Sequence, residues 1–194
     1  PIVNGSVTDL NIVSGTATVS STGLTVSNAL NIEKNATLDI SGNSPHKLLV
    51  NGKLFNGNDI GHGAIASGIN SLISLQGANR VNNLYFAPGF NLLHALTLGP
   101  KVTANLNTTV RMNSGSQYGT VVVGTSNGNA QLNTNGNLVL KSDTLGTAAI
   151  LPIFGTVSGD VTIERAMTYM SGYRNLSHPF SEDVPLTQVD DNMT

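Results

Sequence analysis

The residues able to do chemistry in this chain are few and widely spaced. There are four histidines, His46, His62, His94 and His178, and no cysteine. Without thiols there is no disulfide framework, no thiolate metal site and no sulfur nucleophile. Zinc-binding histidines usually come as close pairs on one element; none of these four has such a neighbour. His62, in Gly61-His62-Gly63 near Asp59, reads as a histidine in a polar turn. Polysaccharide cleavage needs paired carboxylates, or a calcium cluster with a basic residue. Glu33, Asp39 and Asp59 are the only acids between residues 10 and 142. Asp39 and Asp59 are twenty positions apart, so a twenty-residue coil would put them on one face. Asp39 lies between Leu38 and Ile40, which turns it outward on a strand, and the spacing reads as coincidence. With no tryptophan and 5% aromatic residues, a platform for stacking sugars is thin. Asp190-Asp191-Asn192 offers part of a calcium shell but lacks a loop motif, and reads as a solvated acidic turn. Thr16-Ala17-Thr18 is a single Thr-X-Thr, not the repeated ladder of an ice-binding face. The sequons at Asn35, Asn107 and Asn175 are expected by chance among 24 asparagines. No catalytic residue, metal ligand or cofactor is expected.

The elements that would carry any site are strands. Helical periodicity never fills a window, and the one short candidate, around Glu164–Met170, contains Thr and Tyr. Short apolar alternations recur instead: Leu10-Asn11-Ile12, Leu24-Thr25-Val26, Leu30-Asn31-Ile32, Leu38-Asp39-Ile40 and Leu48-Leu49-Val50. They continue at Leu84–Phe86, Leu96–Leu98, Val110–Met112, Val121–Val123 and Leu138–Leu140, with Asn, Gly, Ser and Pro between them. The Leu-Asn-Ile of residues 10–12 returns at 30–32. Two or three strands per turn make coils of roughly twenty residues, the pattern of a solenoid. The expected fold is therefore all-β: a parallel β-solenoid over residues 1–150, then the start of a second β module, truncated, over 151–194. The alternative is an antiparallel β-sandwich. Asn51-Gly52, Asn56-Gly57, Asn127-Gly128 and Asn135-Gly136, which are two-residue hairpin signals, favour it.

Composition fits the solenoid. Charged residues make up 10% of the chain, against ~25% in an average domain. In stacked coils equal positions lie directly above one another, so charges would meet like charges. Asparagine instead tolerates left-handed corners and stacks its amides in ladders. The net charge of -2 gives no basic field to attract nucleic acid. No apolar run reaches the ~20 residues of a membrane span. The ends, PIVNG and DDNMT, read as cuts through a longer or processed polypeptide. Near residue 150 asparagine almost disappears. Asp160, Glu164, Glu182, Asp183, Asp190 and Asp191 then supply six of the eleven acids.

The stretch LVLKSDTLGTAAILPIFGTVSGDVTIERAM, residues 138–167, resembles a recurring segment in large surface proteins of Bacteroidota exported by the type IX secretion system. YRNLSHPFSEDVPLTQVDDN, residues 173–192, looks like its continuation. In such proteins an Asn/Gly-rich β-solenoid precedes this motif and a sorting domain lies further on. The aromatic-rich Arg-Arg stretch of that family is reduced here to Tyr169–Arg174. The resemblance implies secretion, an extracellular or cell-surface location, adhesive or structural roles and no shared catalytic residues. It also makes Asp143-Thr144-Leu145 similar to the family's O-glycosylation acceptor, with Thr144 as the modified residue; otherwise the tripeptide is an ordinary strand-ending turn. The expected function is a non-catalytic structural or adhesive segment of a long surface or filament-forming protein. Its partners would be cell-surface or matrix components, glycans among them, and further copies of itself. The competing expectation is a carbohydrate-binding or polysaccharide-cleaving domain on the same scaffold.

Overall fold

The computed structural model describes residues 1–55, 61–114, 119–125, 128–151 and 154–166. Among these there is no helix. Two long strands open the chain, β1 (Ile2–Ile12) and β2 (Gly15–Ile32), each bending around successive faces of a coil. From there each turn supplies three short strands. They are β3 (Ala36–Asp39), β4 (His46–Val50) and β5 (Lys53–Phe55), then β6 (Ala64–Ser67), β7 (Ser71–Leu75) and β8 (Val81–Leu84). The order repeats in β9 (Phe86–Leu93), β10 (Ala95–Leu98) and β11 (Thr103–Leu106), and in β12 (Val110–Met112), β13 (Thr120–Val123) and β14 (Ala130–Asn133). It closes with β15 (Leu138–Leu140), β16 (Ala149–Ile150), β17 (Gly155–Ser158) and β18 (Val161–Ile163).

Every third strand pairs with its equivalent in the next coil. One face runs β4-β7-β10-β13-β16, a second β8-β11-β14-β17, and a third β3-β6-β9-β12-β15-β18. All pairings between these strands are parallel. The architecture is a parallel β-solenoid. Only the isolated Ser142–Thr147 bridge is antiparallel among the described residues. The sandwich alternative fails on this point. Asn51-Gly52 and Asn135-Gly136 turn the chain onto the next face, not back along its own strand. Left-handed φ at Asn135 (50°) and Gly136 (73°) makes a tight bend, but the ladder offered by the previous coil decides where the strand goes next. Asn56-Gly57 and Asn127 lie outside the described residues.

The interior consists of aliphatic columns. Gly5, Leu24, Leu48, Ile73, Leu96, Val121 and Ile150 follow one another up the first face. Val26, Val50, Leu75, Leu98 and Val123 form a second column beside them, each with no exposed surface. Alternation does this: in β7 the residues Ser71, Ile73 and Leu75 are buried while Leu72 and Ser74 face out. Each fully buried Leu or Ile contributes about 1.5–3 kcal/mol of hydrophobic stabilisation. The first coil sets partners 16 to 20 residues apart, and later coils are longer, because corners and bulges, such as the one between Ile65 and Ser67, absorb insertions. Thr37 pairs with Ala64, and Thr120 with Ala149.

The stacking also runs past residue 150, where a module boundary is expected. Strand β17 pairs with β14, and β18 with β15. Residues 160–163 lose asparagine yet keep inward Val161 and Ile163, and that alternation is what a coil requires. The rest of the expected second module, residues 167–194, lies outside the described residues.

Candidate functional site: the outer faces and the Thr144 turn

The outer positions of the second face carry an asparagine ladder. Asn105 Nδ2 donates to Asn83 Oδ1 at 2.8 Å, and Asn133 Nδ2 donates to Asn105 Oδ1 at 2.6 Å. Ser158 Oγ continues the row, donating to Asn133 Oδ1 at 2.7 Å. The first coils hold a second piece of it, in which Asn31 Nδ2 donates to Asn11 Oδ1 at 2.9 Å. An amide side chain donates on one side and accepts on the other, so identical residues one strand apart satisfy each other. Asparagines also take the corners: Asn35, Asn79 and Asn135 have φ of 66°, 58° and 50°. Glycines mark the corner between the first and second faces for lack of space. A Cβ on Gly52 would fall 1.5 Å from the Asn28 carbonyl oxygen, and one on Gly77 would fall 2.3 Å from that of Gly52.

The outer side of the first face is different. Thr25, Leu49, Ser74, Thr97 and Val122 form its central outer column, all half-buried. It presents small polar and aliphatic groups. On the third face, Arg111 pairs with Glu164, which ties β12 to the segment after β18. Both side chains are about a third exposed, so the pair contributes at most ~1 kcal/mol.

The histidines of the described coils stay apart. His46 is buried, with Nδ1 2.5 Å from the Ser44 carbonyl oxygen. His62 stacks on Tyr85 with ring centroids 3.6 Å apart. The main-chain N–H of His94 donates to Ser71 O, as an ordinary rung of the first face. No group of three His, Asp or Glu side chains among the described residues is placed to hold a metal ion. His178, Asn175 and Asp190–Asn192 lie outside the described residues.

Asp39 does not meet a second acid in register. Its partners in register are Thr18 and Ala66, because the coil here is longer than twenty residues. Its carboxylate accepts from the N–H and Oγ of Ser41, at 2.9 and 2.7 Å, capping the turn after β3. Asp59 itself lies outside the described residues. The coil above Thr16-Ala17-Thr18 presents Thr37-Leu38-Asp39, so the Thr-X-Thr pattern ends after one step.

Thr144 sits at the tip of a small projection between β15 and β16. The Ser142–Thr147 bridge closes its base. The Asp143 carboxylate accepts from the N–H groups of Leu145 and Gly146, at 2.8 and 3.0 Å. The Leu145 N–H bond is the main cause of a carboxyl pKa held below its usual 3.8; desolvation opposes it next, and Gly146, Ser114 and Lys141 add to the lowering. Thr144 and Leu145 are exposed, and Leu145 keeps 62% of its surface. The Asp143 carboxylate thus caps the turn and Thr144 is left exposed.

Sequence reasoning missed Asn82. It is wholly buried, in an inward position of β8 otherwise reserved for aliphatic residues. Its Oδ1 accepts from the Leu54 N–H at 2.8 Å, so a side chain supplies a rung between β5 and β8. A polar residue in an inward place was the available signal, but Asn82-Asn83 hides which of the two points in.

No helix among the described residues is long and apolar enough to cross a membrane. Comparison with family models, curated proteins and solved structures gives no match.

Proposed function

We propose that this segment is a non-catalytic structural or adhesive part of a long, secreted surface or filament-forming protein. One observation carries the reading: the inner column of the first face keeps register from Gly5 to Ile150 without a break. A stack in which each coil touches only its neighbours repeats one surface along an axis. That suits a stiff spacer or a flat wall for adhesion. The resemblance of residues 138–167 to type IX-exported surface proteins, together with an exposed Thr144, supports an extracellular setting. Cell-surface or matrix components, and other copies of the protein, are the partners this reading implies. For the enzyme alternative, Asp39 lies in register with Thr18 and Ala66 and caps Ser41, and Asp59 lies outside the described residues.

The test is an in-frame deletion of the coils in the cell that makes the protein, paired with turnover assays on a polysaccharide panel. Cells should lose attachment under flow, while the purified chain releases no reducing ends. Unchanged attachment, together with turnover that disappears in Asp39→Asn, would transfer the reading to the enzyme.

A further inference from the structure

A groove of about 680 Å³ lies at the corner between the first and second faces, lined by Asn79, Arg80, Val81, Lys101, Thr103, Gly128 and Asn129. Its two cations belong to adjacent coils. The Asn79 N–H donates to Lys101 O at 2.8 Å, and the Thr103 N–H donates to Arg80 O at 2.9 Å. Lys101 therefore lies beside Asn79, and Arg80, the next residue, beside Val102, so the two cations sit diagonally on neighbouring coils of one corner. Both side chains are exposed, and neither has an ion-pair partner among the described residues. Among the described residues no acid lines the groove, and the sequence holds none between Asp59 and Asp143. Lys53 stands at the same corner one coil earlier.

Lys101 adds a second, independent observation. Its φ is 61°, in the left-handed region where Gly and Asn are at ease and a lysine is strained. The equivalent bend one coil earlier uses Asn79, with φ 58°. A lysine held where asparagine would fit better points to a use for its charge.

We propose that this groove binds an acidic polysaccharide, with Arg80 and Lys101 holding its carboxylate or sulfate groups. The Asn79, Asn129 and Thr103 side chains would meet the sugar hydroxyls. Arginine forms paired hydrogen bonds to such anions, while lysine acts as a point charge. Two cations set among amide and hydroxyl groups suit a polyhydroxylated anion. A nucleic acid would need a wider basic field than a chain of net charge -2 provides. The proposal does not depend on the structural reading above, since a spacer or an enzyme could equally carry the groove.

The experiment measures binding of the 194-residue chain to polygalacturonate, a sulfated dextran, neutral dextran and a DNA duplex of matched charge, in 50 mM and 300 mM salt. One or both acidic glycans should bind, more weakly at high salt, and neutral dextran should not; the stronger arm identifies carboxylate or sulfate as the preferred group. Arg80→Gln should weaken binding about three- to tenfold, and Arg80→Gln with Lys101→Asn more than tenfold. Lys101→Asn suits the left-handed backbone, so its thermal midpoint should be equal or higher while its affinity falls. That combination separates a binding role from a structural one. Lys34→Gln, at a different corner, should bind as the parent does. The proposal is overturned by equal binding of neutral dextran, by DNA binding as tight as the glycans, by equal loss in Lys34→Gln, or by no glycan binding in 50 mM salt.

Discussion

Leu96→Ala tests the stacked core at its centre. Leu96 has no exposed surface and lies between Ile73 and Val121 in register. Parallel ladders hold both neighbours on either side, so the space left by three missing carbons cannot close. Buried Leu→Ala changes cost ~2.7–5 kcal/mol, more where the site relaxes less, and about 3–4 kcal/mol is expected here. Leu10→Ala makes the same chemical change at a half-buried position that pairs with Leu30 alone. Its expected cost is about 1–2 kcal/mol. In a chain of this size each kcal/mol lowers the melting temperature by about 2–4 °C. Leu96→Ala should therefore melt roughly 6–16 °C below the parent, and Leu10→Ala roughly 2–8 °C below. The assay is urea and thermal unfolding followed by far-ultraviolet circular dichroism, with the urea slope compared among the three proteins. Equal losses in the two variants, or a loss under about 1 kcal/mol for Leu96→Ala, would refute the argument that two-sided stacking sets the cost.

Four further outcomes are expected. Gly52→Ala forces a methyl group into the Asn28 main chain, and about 2–3 kcal/mol of stability should be lost in the same unfolding assay. Asn105→Asp still accepts from Asn133 but, when ionised, cannot donate to Asn83; about 1 kcal/mol should be lost at neutral pH and partly recovered near pH 3, where the acid is protonated. The Asp143 carboxyl titrates lower in the folded turn than in the unfolded chain. Its stabilisation is thus complete above the ordinary 3.8 and disappears as pH falls through the lower folded value. Amide exchange at Leu145 and Gly146 should quicken there, and protection unchanged down to pH 2 would contradict the cap. Peptide mass analysis of native material should find glycan on Thr144; an unmodified Thr144 ends that assignment.

The sequence alone specified an all-β chain and favoured stacked coils, with a sandwich left as the alternative. Leu10-Asn11-Ile12 and its return at 30–32 define an inward-outward-inward alternation, and parallel pairing is what places those repeats on top of each other. It also showed that charge was scarce and that the histidines were isolated. Strands such as Thr103–Leu106 and Ala130–Asn133 were less legible, because small or polar side chains weaken their alternation. Coil length was not legible either. Corners and bulges take up extra residues, so periodicity along the chain does not give the distance between stacked partners. That is why Asp39 meets Thr18 and Ala66 instead of a second acid. The burial of Asn82 and the meeting of Arg80 with Lys101 at one corner were likewise decided in three dimensions. Inward alternation is a local property that residues carry with them; register between coils is set only when the chain closes each turn on the one before.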